Sequence, residues 1–164
     1  RELKNGFPEA LFLIITHSPP SMIRERLTHY GLEEKDIRIV PAEREEVPVF
    51  AKAADISVSF IRPVYSKLSS SPTKLGELLS MGIPVIVNAG VGDVEEIVHD
   101  VKGGSVIKEF TLETFRAVVD QIPTLLALDA QRIRHNAEQY YSLKEGIRRY
   151  AAVYERLFNN TAAR

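Results

Sequence analysis

The stretch SSSPTKLGELLSMGIPVI, Ser69 to Ile86, decides the fold of this chain. A serine-rich loop leads into an amphipathic helix over residues 73–81, and an apolar strand follows over residues 83–88. Ser71 and Pro72 form a typical helix start, because the hydroxyl can cap the first amides and proline has no amide hydrogen to leave unpaired. A loop, a helix and a buried strand in this order predict one unit of a parallel α/β sheet.

The same alternation continues on both sides of this stretch. Strands are predicted over residues 10–16, 37–41, 55–61, 83–88 and 105–108, and the other helices between them over 21–30, 47–54 and 91–100. Such runs predict a doubly wound parallel sheet, a Rossmann-like α/β fold sandwiched by helices. Beyond residue 110 only helices are predicted, over 112–128, 130–141 and 143–158. We therefore expect one domain over residues 1–158, closing with helices, and a frayed tail over 159–164.

The composition describes a globular chain and excludes several functions. Its 164 residues are 45% hydrophobic and 26% charged, which suits one compact core. The net charge of −1 lacks the basic excess of a nucleic-acid-binding protein. With no cysteine and no metal-ligand spacing among four histidines, we expect neither disulfides nor a metal site. No apolar run reaches the ~20 residues that span a bilayer, and we expect a cytoplasmic protein.

The helix start after Ser71 has the chemistry of an anion site. Free amides and the positive end of the helix dipole attract negative charge there. Ser70, Ser71 and Thr73 add hydroxyl donors, Lys74 adds a positive charge, and Glu77 can accept two hydrogen bonds from a vicinal diol such as ribose. This combination suits a diphosphate. The alternative is an ordinary capped helix in which Lys74 and Glu77 form a solvated i,i+3 pair, and spacing alone leaves both open.

Other loops at the same edge of the sheet are also candidates, because ligands of doubly wound sheets bind outside the carboxyl ends of the strands. The loop after the first strand carries His17 and Ser18, and the loop after the second carries Ala42 and Glu43. Gly92, in the loop after the fourth strand, permits a tight turn close to a ligand.

Three further stretches, together with the opening one, resemble the carboxyl-terminal lobe of retaining glycosyltransferases of the GT-B fold, and glycosyltransferase family 4 in particular. VPVFAKAADI, residues 47–56, resembles the family's short helix before an alanine–aspartate strand start. HDVKGGSVIK, residues 99–108, resembles its acidic-glycine turn and short strand. RIRHNAEQYYSLKEGIRRYAAVYERL, residues 132–157, resembles its closing helices. The resemblance covers about residues 10–158 in order.

The resemblance implies a donor-binding lobe that grips a nucleoside-diphosphate sugar, with UDP or GDP as the expected nucleotide and no other cofactor. Glu77 matches the family glutamate that holds the ribose hydroxyls. The family's diphosphate contact matches Ser71, Pro72, Thr73 and Lys74. The first-strand loop would lie near the phosphates, and the second-strand loop would frame the base. The acceptor, a glycan or a lipid, would bind an amino-terminal lobe that this chain lacks, and the parent enzyme would contact membranes peripherally.

The chain departs from the family pattern at several places. Ser69 stands where many members carry the first glutamate of a Glu-x7-Glu pair, although a serine-proline-threonine-lysine version of the pattern also occurs. Arg1 and Lys4 precede the first strand without the context of the family's diphosphate-binding arginine and lysine. Because the acceptor-binding lobe is expected to be absent as well, we expect this chain alone to bind donor without turnover.

Two other functions stay open. A related two-lobed enzyme that epimerises a nucleotide sugar would need acid and base carboxylates lining its cleft. A non-catalytic α/β interaction module is favoured by the serine at position 69 and by the missing glycine after the first strand.

Overall fold

The computed structural model describes residues 1–162, and within them five strands alternate with helices. The strands are β1 Phe12–Ile15, β2 Ile37–Val40, β3 Ser57–Ser59, β4 Val85–Asn88 and β5 Gly104–Ile107. The helices among them are α1 Glu2–Gly6, α2 Pro20–His29, α3 Val47–Ala51, α4 Thr73–Ser80 and α5 Val94–Val101. The chain closes with α6 Leu112–Leu126, α7 Ala130–Tyr141 and α8 Leu143–Ala162. The α/β class and the closing helices are confirmed.

The strands form two half-sheets. β1 pairs with β2, and β3, β4 and β5 pair in that order, all of them parallel. Within residues 1–162 no ladder joins β1 to β3. The parallel, helix-covered sheet predicted from the sequence is therefore present in two parts. Burial differs accordingly, because every residue of β4 is buried whereas every residue of β1 is half-buried.

Helices cover both faces of the larger half-sheet. Val85 and Val87 of β4 point to one face, where they pack with α4, α5 and α7 through side chains such as Leu79 and Ile133. Ile86, between them, points to the other face. There it packs in a cluster with residues of β5 and α6, namely Ile107, Val118, Ile122 and Leu125. This alternation gives the two-sided burial that the apolar run over residues 83–88 predicts.

Helix α1 is the main element that the sequence did not predict. With five residues it is too short to show helical periodicity. Two ion pairs hold it in place: Glu2 Oε2 lies 2.9 Å from Arg116 Nε of α6, and Lys4 Nζ lies 2.9 Å from Asp36 Oδ1. Lys4 also donates hydrogen bonds to the carbonyl oxygens of Pro8 and Ala10.

Helix α8 runs further than expected. It continues to Ala162, beyond the predicted helix end at residue 158, because neither glycine nor proline follows Phe158 to end the helix. The frayed tail over residues 159–164 stays a prediction. Residues 163 and 164 of that tail lie outside the described residues. Exposed apolar side chains follow one side of α8, at Leu143, Ile147, Tyr150, Tyr154 and Phe158. None of the helices described is both long and apolar enough to cross a membrane.

The packing of α4 on α7 predicts an unusual response to alanine at Gly76. A Cβ at Gly76 would lie 2.6 Å from Cδ1 of Tyr141, closer than carbon atoms approach. Gly76→Ala should therefore lower the free energy of unfolding in urea by about 1–3 kcal/mol, although alanine favours helix. Gly146→Ala in α8 is the control, because nothing lies within 4 Å of the added Cβ there. This variant should raise the free energy of unfolding slightly. Stabilisation in both variants would contradict this packing.

The Lys4–Asp36 pair predicts acid sensitivity. The hydrogen bond from Lys4 lowers the pKa of the buried Asp36 below its ordinary value. Because the folded-state pKa is the lower one, the pair stabilises the fold above the unfolded pKa of about 4, and this contribution is lost as the pH falls through the folded pKa. Asp36→Asn should therefore be less stable at neutral pH and should lose less stability on acidification.

Urea unfolding across the acidic range checks this prediction. Asp55→Asn is the control, because Asp55 is exposed and makes no ion pair with any of residues 1–162. It should keep the wild-type pH dependence. An Asp36→Asn variant with unchanged pH dependence would rule out the ion pair as the cause.

Candidate functional site

Helix α4 begins without a side-chain cap. Its N-cap residue is Pro72, with ψ of 116°, and no side chain bonds to the cap position. The prediction that Ser71 caps the helix, with Pro72 inside its first turn, is therefore wrong. Since the extended backbone of Pro72 delays helical geometry until Thr73, Ser71 lies one residue too early to cap. The Leu75 amide donates to Pro72 O at 3.0 Å, whereas the amides of Thr73 and Lys74 make no hydrogen bond within residues 1–162. These two amides stand at the positive end of the helix dipole and are left to meet another partner.

The side chains at this helix start face solvent. Thr73, Lys74 and Glu77 are exposed, and none of the three side chains makes a hydrogen bond or an ion pair with the part of the chain that the structure describes. The alternative of an i,i+3 ion pair between Lys74 and Glu77 is therefore not realised. One cationic and one anionic side chain stand about one turn apart beside uncapped amides.

The loop that leads into α4 is held by backbone hydrogen bonds. The Ser70 amide donates to Lys67 O at 3.2 Å, and the Gly92 amide donates to the same oxygen at 2.9 Å. Ser70 Oγ also donates to Ser66 O at 3.3 Å. Gly92 has φ of +43°, and a Cβ there would collide with Ser70 O. The predicted tight turn at Gly92 is confirmed, and it lets the loops after β3 and β4 pack together.

Asn88 fixes the start of the same loop, a role that the sequence analysis missed. Its side chain is buried at the end of β4, where Oδ1 accepts the Ile61 amide at 2.7 Å and Nδ2 donates to Ile61 O at 2.9 Å. Nδ2 donates to Ala89 O as well, at 2.8 Å. The side-chain amide of Asn88 thereby pairs with the Ile61 backbone as a further β4 residue would. The hydrogen bonding between β3 and β4 continues in this way past the end of β3. The available signal was a polar residue directly after an apolar run.

Removing this amide should release the loop. Asn88→Ala leaves the Ile61 amide and carbonyl without partners, which should cost about 1–3 kcal/mol of unfolding free energy. Hydrogen exchange at Ile61 should accelerate. Asn5→Ala is a suitable control, because Asn5 is exposed on α1 and should leave both quantities unchanged. Unaltered exchange at Ile61 in Asn88→Ala would show that the loop does not depend on this contact.

The loops after β1 and β2 meet each other. His17 Nε2 lies 2.9 Å from the carbonyl oxygen of Ala42, which is itself buried. The amide of Ser18 donates to Thr16 Oγ1 at 3.1 Å, and the amide of Glu43 donates to Glu46 Oε2 at 2.9 Å. His17 and Glu43 are exposed. The two loops therefore form one surface at the carboxyl end of the smaller half-sheet.

The predicted site residues thus fall into two groups. One group follows β1 and β2 and consists of His17, Ser18, Ala42 and Glu43. The other follows β3 and consists of Ser70, Ser71, Thr73, Lys74 and Glu77. No hydrogen bond or ion pair links the groups within residues 1–162. Lys4 belongs to neither group, because it is bound to Asp36.

The face of α4 that lies against α7 is uncharged. The hydroxyl group of Tyr141 is buried there without a hydrogen-bond partner within residues 1–162. Burial, together with the charge of Asp93, raises the pKa of Tyr141 to about 12, so the phenol stays neutral. The charges of α4 are therefore on its solvent side, where Lys74 and Glu77 are exposed.

Solved structures of three enzymes share this fold. The glycosyltransferase WaaG, involved in lipopolysaccharide biosynthesis, is 24% identical with a TM-score of 0.60, over 84% of this chain and 36% of that one. AviGT4, a glycosyltransferase involved in avilamycin A biosynthesis, is 18% identical with a TM-score of 0.65, over 95% and 45%. Sucrose-phosphate synthase from Thermosynechococcus elongatus is 18% identical with a TM-score of 0.72, over 96% and 41%.

These similarities establish the fold. The chain has the Rossmann-like α/β architecture of one part of these enzymes and spans less than half the length of each. No protein-family model matches the chain, and no curated protein sequence matches it. The fold implied by the resemblance is confirmed, and membership of glycosyltransferase family 4 stays a prediction.

Proposed function

We propose that this chain is the donor-binding lobe of a retaining glycosyltransferase that takes its sugar from a nucleoside diphosphate. The observation that carries the proposal is the uncapped start of α4, where Lys74 and Glu77 are exposed and unpaired within residues 1–162. The shared fold of WaaG and AviGT4, both described as glycosyltransferases, supports it.

In this proposal α4 receives the diphosphate. The amides of Thr73 and Lys74 and the hydroxyl of Thr73 donate hydrogen bonds to its oxygens, and the Lys74 side chain supplies a full positive charge. When the bond to the sugar breaks, negative charge grows on the leaving diphosphate. The fixed hydrogen-bonding groups of α4 stabilise this charge more than they stabilise the intact nucleotide sugar. The helix start thus acts by electrostatic stabilisation, and the sugar passes to an acceptor hydroxyl.

The nucleoside part would extend from the same helix. Glu77, about one turn beyond Lys74, accepts hydrogen bonds from the two ribose hydroxyls. Ala42 and Glu43 would frame the base, and His17 and Ser18 would lie near the phosphates. UDP and GDP are the proposed nucleotides. The acceptor, a glycan or a lipid, would be held by another lobe, so the chain by itself binds donor without turnover.

Binding of UDP, GDP and pyrophosphate tests the proposal. Titration calorimetry should detect at least one of the two nucleotides at millimolar concentration. Lys74→Ala should weaken the binding of nucleotide and of pyrophosphate by about tenfold to a hundredfold each, because a charge-assisted contact of about 1.5–3 kcal/mol is lost. Glu77→Gln should weaken the binding of the nucleotide and leave the binding of pyrophosphate unchanged, because only the nucleotide carries a ribose.

Lys144→Ala is the matched control. Lys144 is the second residue of α8 and exposed, as Lys74 is the second residue of α4. It should bind all ligands as the wild type does. Absence of binding by UDP, GDP and pyrophosphate would overturn the proposal and favour an interaction module. Wild-type binding in both α4 variants would overturn the assignment of the site to α4.

A further inference from the structure

The edge of β1 that faces away from β2 has unused backbone groups. In a parallel strand, alternate residues direct their amide and carbonyl to opposite sides. The Thr16 amide donates to Val40 O of β2 at 3.0 Å, so Leu13 and Ile15 direct their backbone groups to the other side. No strand pairs with that side within residues 1–162.

The edge of β3 that faces away from β4 is open in the same way. The Ser57 amide donates to Pro84 O at 2.9 Å, and the Ile61 backbone is bound by Asn88 at the end of β4. By alternation, Val58 and Phe60 direct their backbone groups away from β4. Open strand edges of this kind normally receive a further strand or carry blocking charges and prolines. Residues 57–61 contain neither charge nor proline.

An apolar groove of about 850 Å³ adjoins these edges. Phe12 of β1 lines one part of it, and Val58 and Phe60 line another, with exposures of 50% and 41% for the last two. Residues of α1 and α6 line the groove as well, among them Leu3 and Phe115. The groove therefore combines half-exposed apolar side chains with two unpaired strand edges. We call this groove the slot, because an additional strand could bind in it.

We infer that this slot between β1 and β3 receives one further parallel β-strand, supplied by polypeptide on the amino-terminal side of α1. The inserted strand would make a single six-stranded sheet in the order β2, β1, inserted strand, β3, β4, β5. Counted from the inserted strand as the first, this order is 3-2-1-4-5-6, the doubly wound order of the Rossmann fold.

The position of α1 indicates the source of the strand. α1 immediately precedes β1 in the chain, and its residues Glu2, Leu3 and Asn5 line the groove. It is therefore placed as the last turn of a crossover helix between the inserted strand and β1, the connection that parallel neighbours require. Because both faces would be covered, the strand should be a nearly continuous apolar run of about five residues. This inference does not depend on nucleotide binding.

The probe is an engineered amino-terminal extension. It consists of Val-Ile-Val-Ile-Val and a flexible Gly/Ser linker of about ten residues, which spans about 17 Å and so matches the length of the strand. The control extension is Val-Pro-Val-Pro-Val with the same linker, because proline cannot donate ladder hydrogen bonds. Circular dichroism of each version checks that it is folded.

Hydrogen exchange at Leu13, Ile15, Val58 and Phe60 is the main measurement. In the unextended chain and in the proline control these four amides should exchange rapidly. In the valine-isoleucine version their protection should rise about tenfold or more, and the melting temperature should rise with it. Equal, rapid exchange in all three folded proteins would overturn the inference.

Two further outcomes would also overturn it. The chain has no cysteine, so Leu13→Cys with Val58→Cys introduces a single defined pair. A disulfide needs Cα atoms closer than about 7 Å, which direct pairing of β1 with β3 provides and an intervening strand excludes. Ready disulfide formation in the unextended chain would therefore show direct closure. Concentration-dependent protection, with a dimer by light scattering, would show that a second copy fills the slot.

Discussion

Backbone pairing along β4, extended past its end by the side-chain amide of Asn88, is the constraint on which the rest of the structure depends. β4 is buried at every position, pairs with a strand on each side, and sends Val85 and Val87 into one core and Ile86 into the other. The Asn88 amide then replaces the strand residue that β4 lacks and holds Ile61. The loop that leads to α4 therefore starts from a fixed point.

Much of this fold could be predicted from local sequence, because the decisive signals are local. α7 has the predicted bounds, since Asp129 accepts the Gln131 amide and so caps its start. The split of the sheet could not be predicted in this way. An apolar run such as residues 10–16 has the same pattern whether its strand has neighbours on both edges or on one, because the pattern reports burial of side chains and not pairing of backbone.

The charged residues of the candidate site could be predicted from the sequence, whereas the backbone geometry of the site could not. Lys74 and Glu77 could be selected because their spacing along a helix fixes them near its start. The absence of a side-chain cap depends on the ψ angle of Pro72. The residue type does not determine this angle. The role of Asn88 could not be predicted, because an asparagine at the end of a strand usually belongs to a turn.

The hydrogen bonds that join Lys67 to Ser70 and Gly92 bear on the thermodynamics of any ligand at α4. Since these bonds order the loop in the free chain, a ligand would not have to immobilise backbone on arrival. The loss of conformational entropy would be confined to exposed side chains, chiefly Lys74 and Glu77, at about 0.5–1.5 kcal/mol each. The backbone around the start of α4 therefore has a fixed shape. The exposed side chains of Lys74 and Glu77 can still change rotamer to fit a ligand.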